Sequence, residues 1–105
     1  MTRENQKSYV YLLRSLKDEK FYVGWTTDLK GRIEEHNRGR SAYTRSRRPW
    51  RLVGYEEYPS IEEAKGRERV LKRNPRMYFL FKKRFLNSPT TDGKTQVVGQ
   101  RQVVG

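Results

Sequence analysis

The chain has 105 residues, a formal net charge of +12, 33% hydrophobic and 34% charged residues, and no cysteine. That length supports one domain with one modest core, and the missing cysteine excludes disulfides and thiolate metal sites. The charge excess points to a polyanionic partner, nucleic acid foremost, and no apolar run is long enough to span a membrane.

Residues 1–7 read as a polar, flexible lead-in without the apolar stretch of a secretory signal, so a cytoplasmic protein is expected. Ser8 to Ser15 is rich in Tyr, Val and Leu with partial alternation, which suits a strand. Leu16 to Lys20 is a polar connector, and Phe21 to Thr26 reads as a second strand. Asp28 can cap a helix that runs to about Arg38 and stops at Gly39. Arg40 to Pro49 is a basic loop, followed by a third strand over Trp50 to Tyr58. Ser60, with Glu63 three residues on, has the spacing of a capping box that opens a second helix. Asn74-Pro75 punctuates, and Arg76 to Leu86 carries the apolar spacing of a third helix. The order is β-β-α-β-α-α, an α/β (α+β) pattern confined to residues 8–86. From Asn87 to Gly105 the composition turns to Ser, Pro, Thr, Gly and Gln, and Gln96-Val97-Val98-Gly99 recurs as Gln102-Val103-Val104-Gly105. Residues 87–105 are expected to be a disordered tail.

A two-residue turn at Asp18-Glu19 places Tyr11, Leu13, Tyr22, Gly24 and Thr26 on one face of the first hairpin. It pairs Leu13 with Gly24, and it leaves Val10, Leu12, Phe21, Val23 and Trp25 as a uniformly apolar face for the core. The tyrosine face is unusual, because Gly24 beside two phenols would let a ligand approach the backbone. Cross-strand packing is the plainer explanation of the tyrosines. On the first helix, Leu29, Ile33 and His36 share a stripe bordered by Arg32. A guanidinium there suits phosphate oxygens, although a structural imidazole and a snorkelling arginine fit the same pattern. On the second helix an acid, Glu68, interrupts the apolar stripe Ile61, Ala64 and Leu71. A carboxylate so placed needs a basic partner, Arg32 being one candidate, or a bound cation. Asn37 to Arg51 holds six arginines and no acid, interleaved with Tyr43 and Trp50, a mixture suited to backbone clamping and base stacking. Arg38, Arg40, Tyr43, Arg45, Arg47 and Arg48 are therefore candidate nucleic-acid contacts, with Lys65 and Lys72 from a second basic stretch, Lys65 to Arg84, that holds nine basic residues against Glu68 alone.

These residues, in this order, resemble the GIY-YIG endonuclease domain in its short single-domain form, the type related to the excinuclease C nuclease domain. Tyr9-Val10-Tyr11 stands for the first motif, Tyr22-Val23-Gly24 for the second, and Asp28 to Asn37 for the Arg-bearing helix. Tyr43-Thr44, Arg48-Pro49-Trp50 and Leu52-Val53 match the stretch into the third strand, and Glu68 matches the metal-binding glutamate. Tyr9 replaces the leading glycine of the first motif, and Asn74 is left without a family role. The resemblance implies a three-stranded antiparallel sheet flanked by helices and one-metal hydrolysis of DNA, with RNA left open. It implies Tyr11 as general base assisted by Tyr22, Arg32 on the scissile phosphate, His36 on the nucleophile side, and Glu68 holding Mg²⁺ or Mn²⁺. A chain this small carries little sequence readout, so target choice is expected to rest on DNA structure or a partner protein, in repair or recombination. A monomer or weak dimer is expected. The alternative is a non-catalytic basic nucleic-acid-binding module in which Glu68 is only an ion-pair partner.

Overall fold

The computed structural model describes residues 6–86. Residues 1–5 of the 1–7 lead-in and the whole tail over 87–105 lie outside the described residues. Strands β1 (Ser8–Ser15), β2 (Phe21–Thr26) and β3 (Trp50–Tyr58) form one antiparallel sheet in the order β2-β1-β3. Helices α1 (Leu29–Asn37), α2 (Ile61–Arg73) and α3 (Pro75–Leu86) complete the expected β-β-α-β-α-α order.

The central strand divides the molecule. Val10 and Leu12 point to one side, Tyr11 and Leu13 to the other, and all four are at most 1% exposed. Val10, Leu12 and Val23 pack with Ala64, Leu71 and Phe81, so α2 and α3 cover that face. Tyr11, Leu13 and Trp50 pack with Tyr22, Leu29 and Ile33, so α1 covers the opposite face. Side-chain alternation along a strand makes this division, and the helical stripes answer it.

The hairpin register differs from expectation. Tyr11 pairs with Gly24 and Leu13 with Tyr22, two residues along β2 from the pairing that a turn at Asp18-Glu19 gives. The loop is longer because Ser15 N–H donates to the Lys20 carbonyl at 2.8 Å, enclosing Leu16 to Glu19. Ser15 Oγ accepts from the N–H groups of Lys17 and Asp18, and Glu19 takes a left-handed φ of 63°. A displacement by two residues keeps side-chain parity, so the predicted faces survive.

Caps fix the helices. The Asp28 carboxylate accepts from Gly31 N–H at 3.1 Å and starts α1, while Ser60 Oγ accepts from Glu63 N–H at 3.2 Å and starts α2. Asn74 Oδ1 accepts from both Arg76 and Met77 N–H, which gives this asparagine a capping role at the head of α3. Between α1 and β3, the Asn37 amide donates to the Trp50 carbonyl and accepts from the Trp50 N–H. That pair of hydrogen bonds ties the ends of the basic loop together, and a short 3₁₀ turn at Arg45–Arg47 lies within it.

Candidate active site

The α1 face of the sheet gathers four of the predicted groups. Tyr11, 1% exposed at the centre of β1, has its phenol oxygen 2.9 Å from His36 Nε2. His36 is fully buried, and its Nδ1 lies 2.8 Å from Thr44 Oγ1. Tyr22 stands beside both, its ring centroid 6.4 Å from that of Tyr11 and 5.1 Å from that of His36. Arg32, one turn before His36, lies against the Tyr11 phenol and pairs with Glu35 at 2.8 Å. A polar cleft of about 540 Å³ opens beside Arg32, with Trp25, Thr26 and Ile61 among its walls.

Gly24 has a different purpose from the one its sequence position suggests. A Cβ at this residue would lie 2.5 Å from the Tyr11 phenol oxygen, so the tyrosine itself fills the space that the glycine leaves. No room remains there for a ligand to reach the backbone. The glycine makes the buried phenol possible.

Burial sets the protonation states. Desolvation lifts the Tyr11 phenol well above its ordinary value; Tyr22 and Glu68 add to the rise, and Arg32 opposes it. Desolvation, helped by the Arg32 charge, lowers His36 to about 4. At neutral pH the site therefore holds a protonated phenol beside an uncharged imidazole. With Nδ1–H donating to Thr44, Nε2 is left as an acceptor for the Tyr11 O–H.

Glu68 approaches from the other layer. It belongs to α2, on the opposite face from α1, yet its charge is felt at Tyr11. Arg32, a candidate partner on sequence grounds, is occupied with Glu35. The Glu68 partner is Lys72, one helical turn on, with Nζ 2.8 Å from Oε2 and 5.6 Å from the Tyr22 ring centroid. Among the described residues no three His, Cys, Asp or Glu side chains cluster. The donor set is one half-buried carboxylate, which fits a hard divalent cation that keeps waters and takes phosphate oxygens as further ligands.

The predicted nucleic-acid contacts divide by position. Arg38, Arg40, Tyr43, Arg45 and Arg48 are exposed along the loop that follows α1. Arg47 is held by Asp18 at 3.1 Å and lies over Trp50, while Lys65 lies over Trp25. Thr44 was not identified as a site residue by sequence; nothing in its spacing marks it, because the Asn37–Trp50 tie brings it to His36. The i, i+4 spacing of Glu68 and Lys72 did carry a signal.

The family model of the GIY-YIG catalytic domain matches residues 7–82. A UPF0213 protein of Clostridium perfringens is 46% identical over 67 residues, covering 63% of this chain and 71% of that protein. A UPF0213 protein of Streptococcus pneumoniae is 41% identical over 73 residues, covering 69% of this chain and 73% of that protein. The solution NMR structure of a UPF0213 protein from Bacillus halodurans is similar at 40% identity and a TM-score of 0.44, covering 71% of this chain and 82% of that chain.

Proposed function

The chain belongs to the GIY-YIG catalytic domain family, whose members are nuclease domains, and from that premise we propose that it is a divalent-metal-dependent DNA endonuclease. The observation that carries this reading is the Tyr11 phenol held 2.9 Å from a buried, uncharged imidazole. A phenol raised by burial is a poor base if it must first lose its proton to solvent. With His36 Nε2 waiting as acceptor, Tyr11 takes a proton from the attacking water while its own proton passes to the imidazole. The Thr44 hydroxyl at Nδ1 is compatible with the tautomer in which Nε2 accepts.

Arg32 grips the scissile phosphate by exchanging its Glu35 partner for phosphate oxygens, and its charge stabilises the crowded phosphorane-like geometry. Tyr22 borders the nucleophile side. Glu68 would hold Mg²⁺ or Mn²⁺, which when bound supplies positive charge at the leaving oxygen. Lys72 then turns from the carboxylate toward the DNA. Structured or weakly specific DNA is the proposed substrate, and repair or recombination the proposed setting.

Incubation with nicked, flapped and branched DNA in Mg²⁺ or Mn²⁺ tests the reading. Metal-dependent strand cleavage that Glu68→Ala abolishes without loss of folding is the expected result. Absence of cleavage on every substrate, or equal cleavage by Glu68→Ala, sinks it. One observation favours a second reading, a non-catalytic binding module: Lys72 already satisfies Glu68. A rise in Tm on adding metal, absent in Glu68→Ala, counts against that module. Metal-independent DNA binding with no turnover supports it.

A further inference from the structure

Tyr43 is the most exposed large aromatic residue of the described chain, at 74%, and it stands at the rim of the site. An isolated exposed tyrosine is ordinary on a protein surface. Its setting here is not. The next residue, Thr44, is fully buried, and it is fixed from three directions. Its Oγ1 meets His36 Nδ1 at 2.8 Å, its carbonyl accepts the Trp50 indole N–H at 3.0 Å, and its N–H donates to the Ser41 carbonyl at 3.2 Å. The Tyr43 backbone is thus anchored to the same imidazole that serves Tyr11. Its ring meets Tyr22 edge to face, with centroids 6.0 Å apart and planes at 66°. Apart from this contact the residue is largely open to solvent.

Exposed arginines border the ring in the chain, at Arg40, Arg45 and Arg48, and the Lys72 ammonium lies close enough to feel the phenol. An exposed aromatic ring on an anchored stretch of backbone, with exposed arginines close by in the chain and beside the proposed phosphate-cleaving centre, matches the chemistry of a nucleobase and its flanking phosphates. We infer that Tyr43 stacks an unpaired DNA base next to the scissile phosphate, making single-stranded DNA, free or as the arm of a flap, the strand this site accepts. The inference rests on the nuclease reading for the position of the phosphate. Within a duplex, bases are already stacked and paired, and each would have to be extruded to reach the ring. An unpaired strand meets no such barrier.

The test places 2-aminopurine along a single-stranded oligonucleotide and follows its fluorescence on adding protein without divalent metal, so that binding is read apart from cleavage. Position-dependent quenching is expected with the wild type, Tyr43→Phe and Tyr43→Trp. Tyr43→Ala should lose the quenching and bind roughly tenfold more weakly, as expected for one stacked base. A duplex of the same sequence should show no dependence on Tyr43. Unchanged quenching in Tyr43→Ala, or an equal loss of affinity for duplex, overturns the inference. Because the side chain is exposed, an unaltered Tm of Tyr43→Ala confirms that folding is not the cause. Quenching through Tyr43 without cleavage in Mg²⁺ or Mn²⁺ removes the nuclease reading and keeps the stacking site. Equal cleavage of duplex and single strand, unaffected by Tyr43→Ala, does the reverse.

Discussion

The helical layer formed by α2 and α3 holds two glutamates in opposite ways. On the α2/α3 face, Glu56 is 2% exposed and accepts from Arg67 at 2.9 and 3.2 Å, from Arg84, and from the Tyr58 hydroxyl at 2.6 Å. Burial alone would lift its carboxyl, but Arg67, Tyr58 and Arg84 together hold it below the ordinary range. Every lone pair there has a protein donor, and the network staples β3 to both helices. Glu68 has a single lysine on a flexible stem, at the edge where α2 meets the tyrosine face. A closed network of donors serves stability, whereas a carboxylate with one exchangeable partner retains capacity for a ligand. The α1 face repeats the second pattern, with a phenol, an imidazole and a guanidinium brought together and a cleft beside them.

The contrast can be broken by exchanging the two carboxylates for neutral residues. Glu68→Gln is expected to reduce cleavage on the order of 10²–10⁴-fold, the range for loss of a principal catalytic group, with little change in Tm. Glu56→Ala is expected to destabilise by about 3–5 kcal/mol, since two arginines are left facing an unpaired site, while activity per folded molecule is retained. Urea unfolding beside single-turnover cleavage separates the two, and matching profiles for the variants would erase the distinction. On the same stability face, Phe81→Ala should cost about 3–5 kcal/mol through the cavity it leaves.

A smaller effect arises from His36. Its pKa is lowered by burial to about 4, so below about pH 6.5 the unfolded chain binds a proton that the folded chain refuses. The stabilising share is complete above about pH 6.5 and is lost as the pH falls toward 4, about 3 kcal/mol at most. His36→Gln should flatten the denaturation midpoint between those pH values. Cleavage should likewise persist below pH 6.5 and fall only near pH 4; an acid limb at 6.5 would mean the imidazole is not desolvated in solution. Smallest is Ser60→Ala, expected to destabilise α2 by about 1 kcal/mol through loss of its cap. A loss of activity beyond that stability change would show that the start of the helix also positions Glu68.

The elements and their faces were legible because alternation in the strands and the i, i+4 stripes of the helices encode them directly. Val10, Leu12 and Val23 separate from Tyr11, Leu13 and Tyr22 on parity alone. The register was not legible, since Ser15 Oγ and the left-handed Glu19 enlarge the hairpin loop without any glycine or asparagine to announce it. Gly24 was readable as a close approach, but sequence could not say that the approaching group is Tyr11. Glu56, Arg67 and Arg84 come from three elements, and only tertiary packing makes them neighbours. Thr44 depends in the same way on the Asn37 amide that pins the loop to Trp50.

The central claim is that the buried Tyr11 hydroxyl moves the proton of the attacking water. Tyr11→Phe removes that oxygen and leaves the ring that packs against Tyr22 and His36. Single-turnover cleavage of flapped DNA in Mg²⁺ or Mn²⁺ by this variant, with Tm confirming the fold, is the direct measurement. A loss on the order of 10²–10⁴-fold with DNA affinity unchanged is the predicted result. Cleavage at the wild-type rate would contradict it.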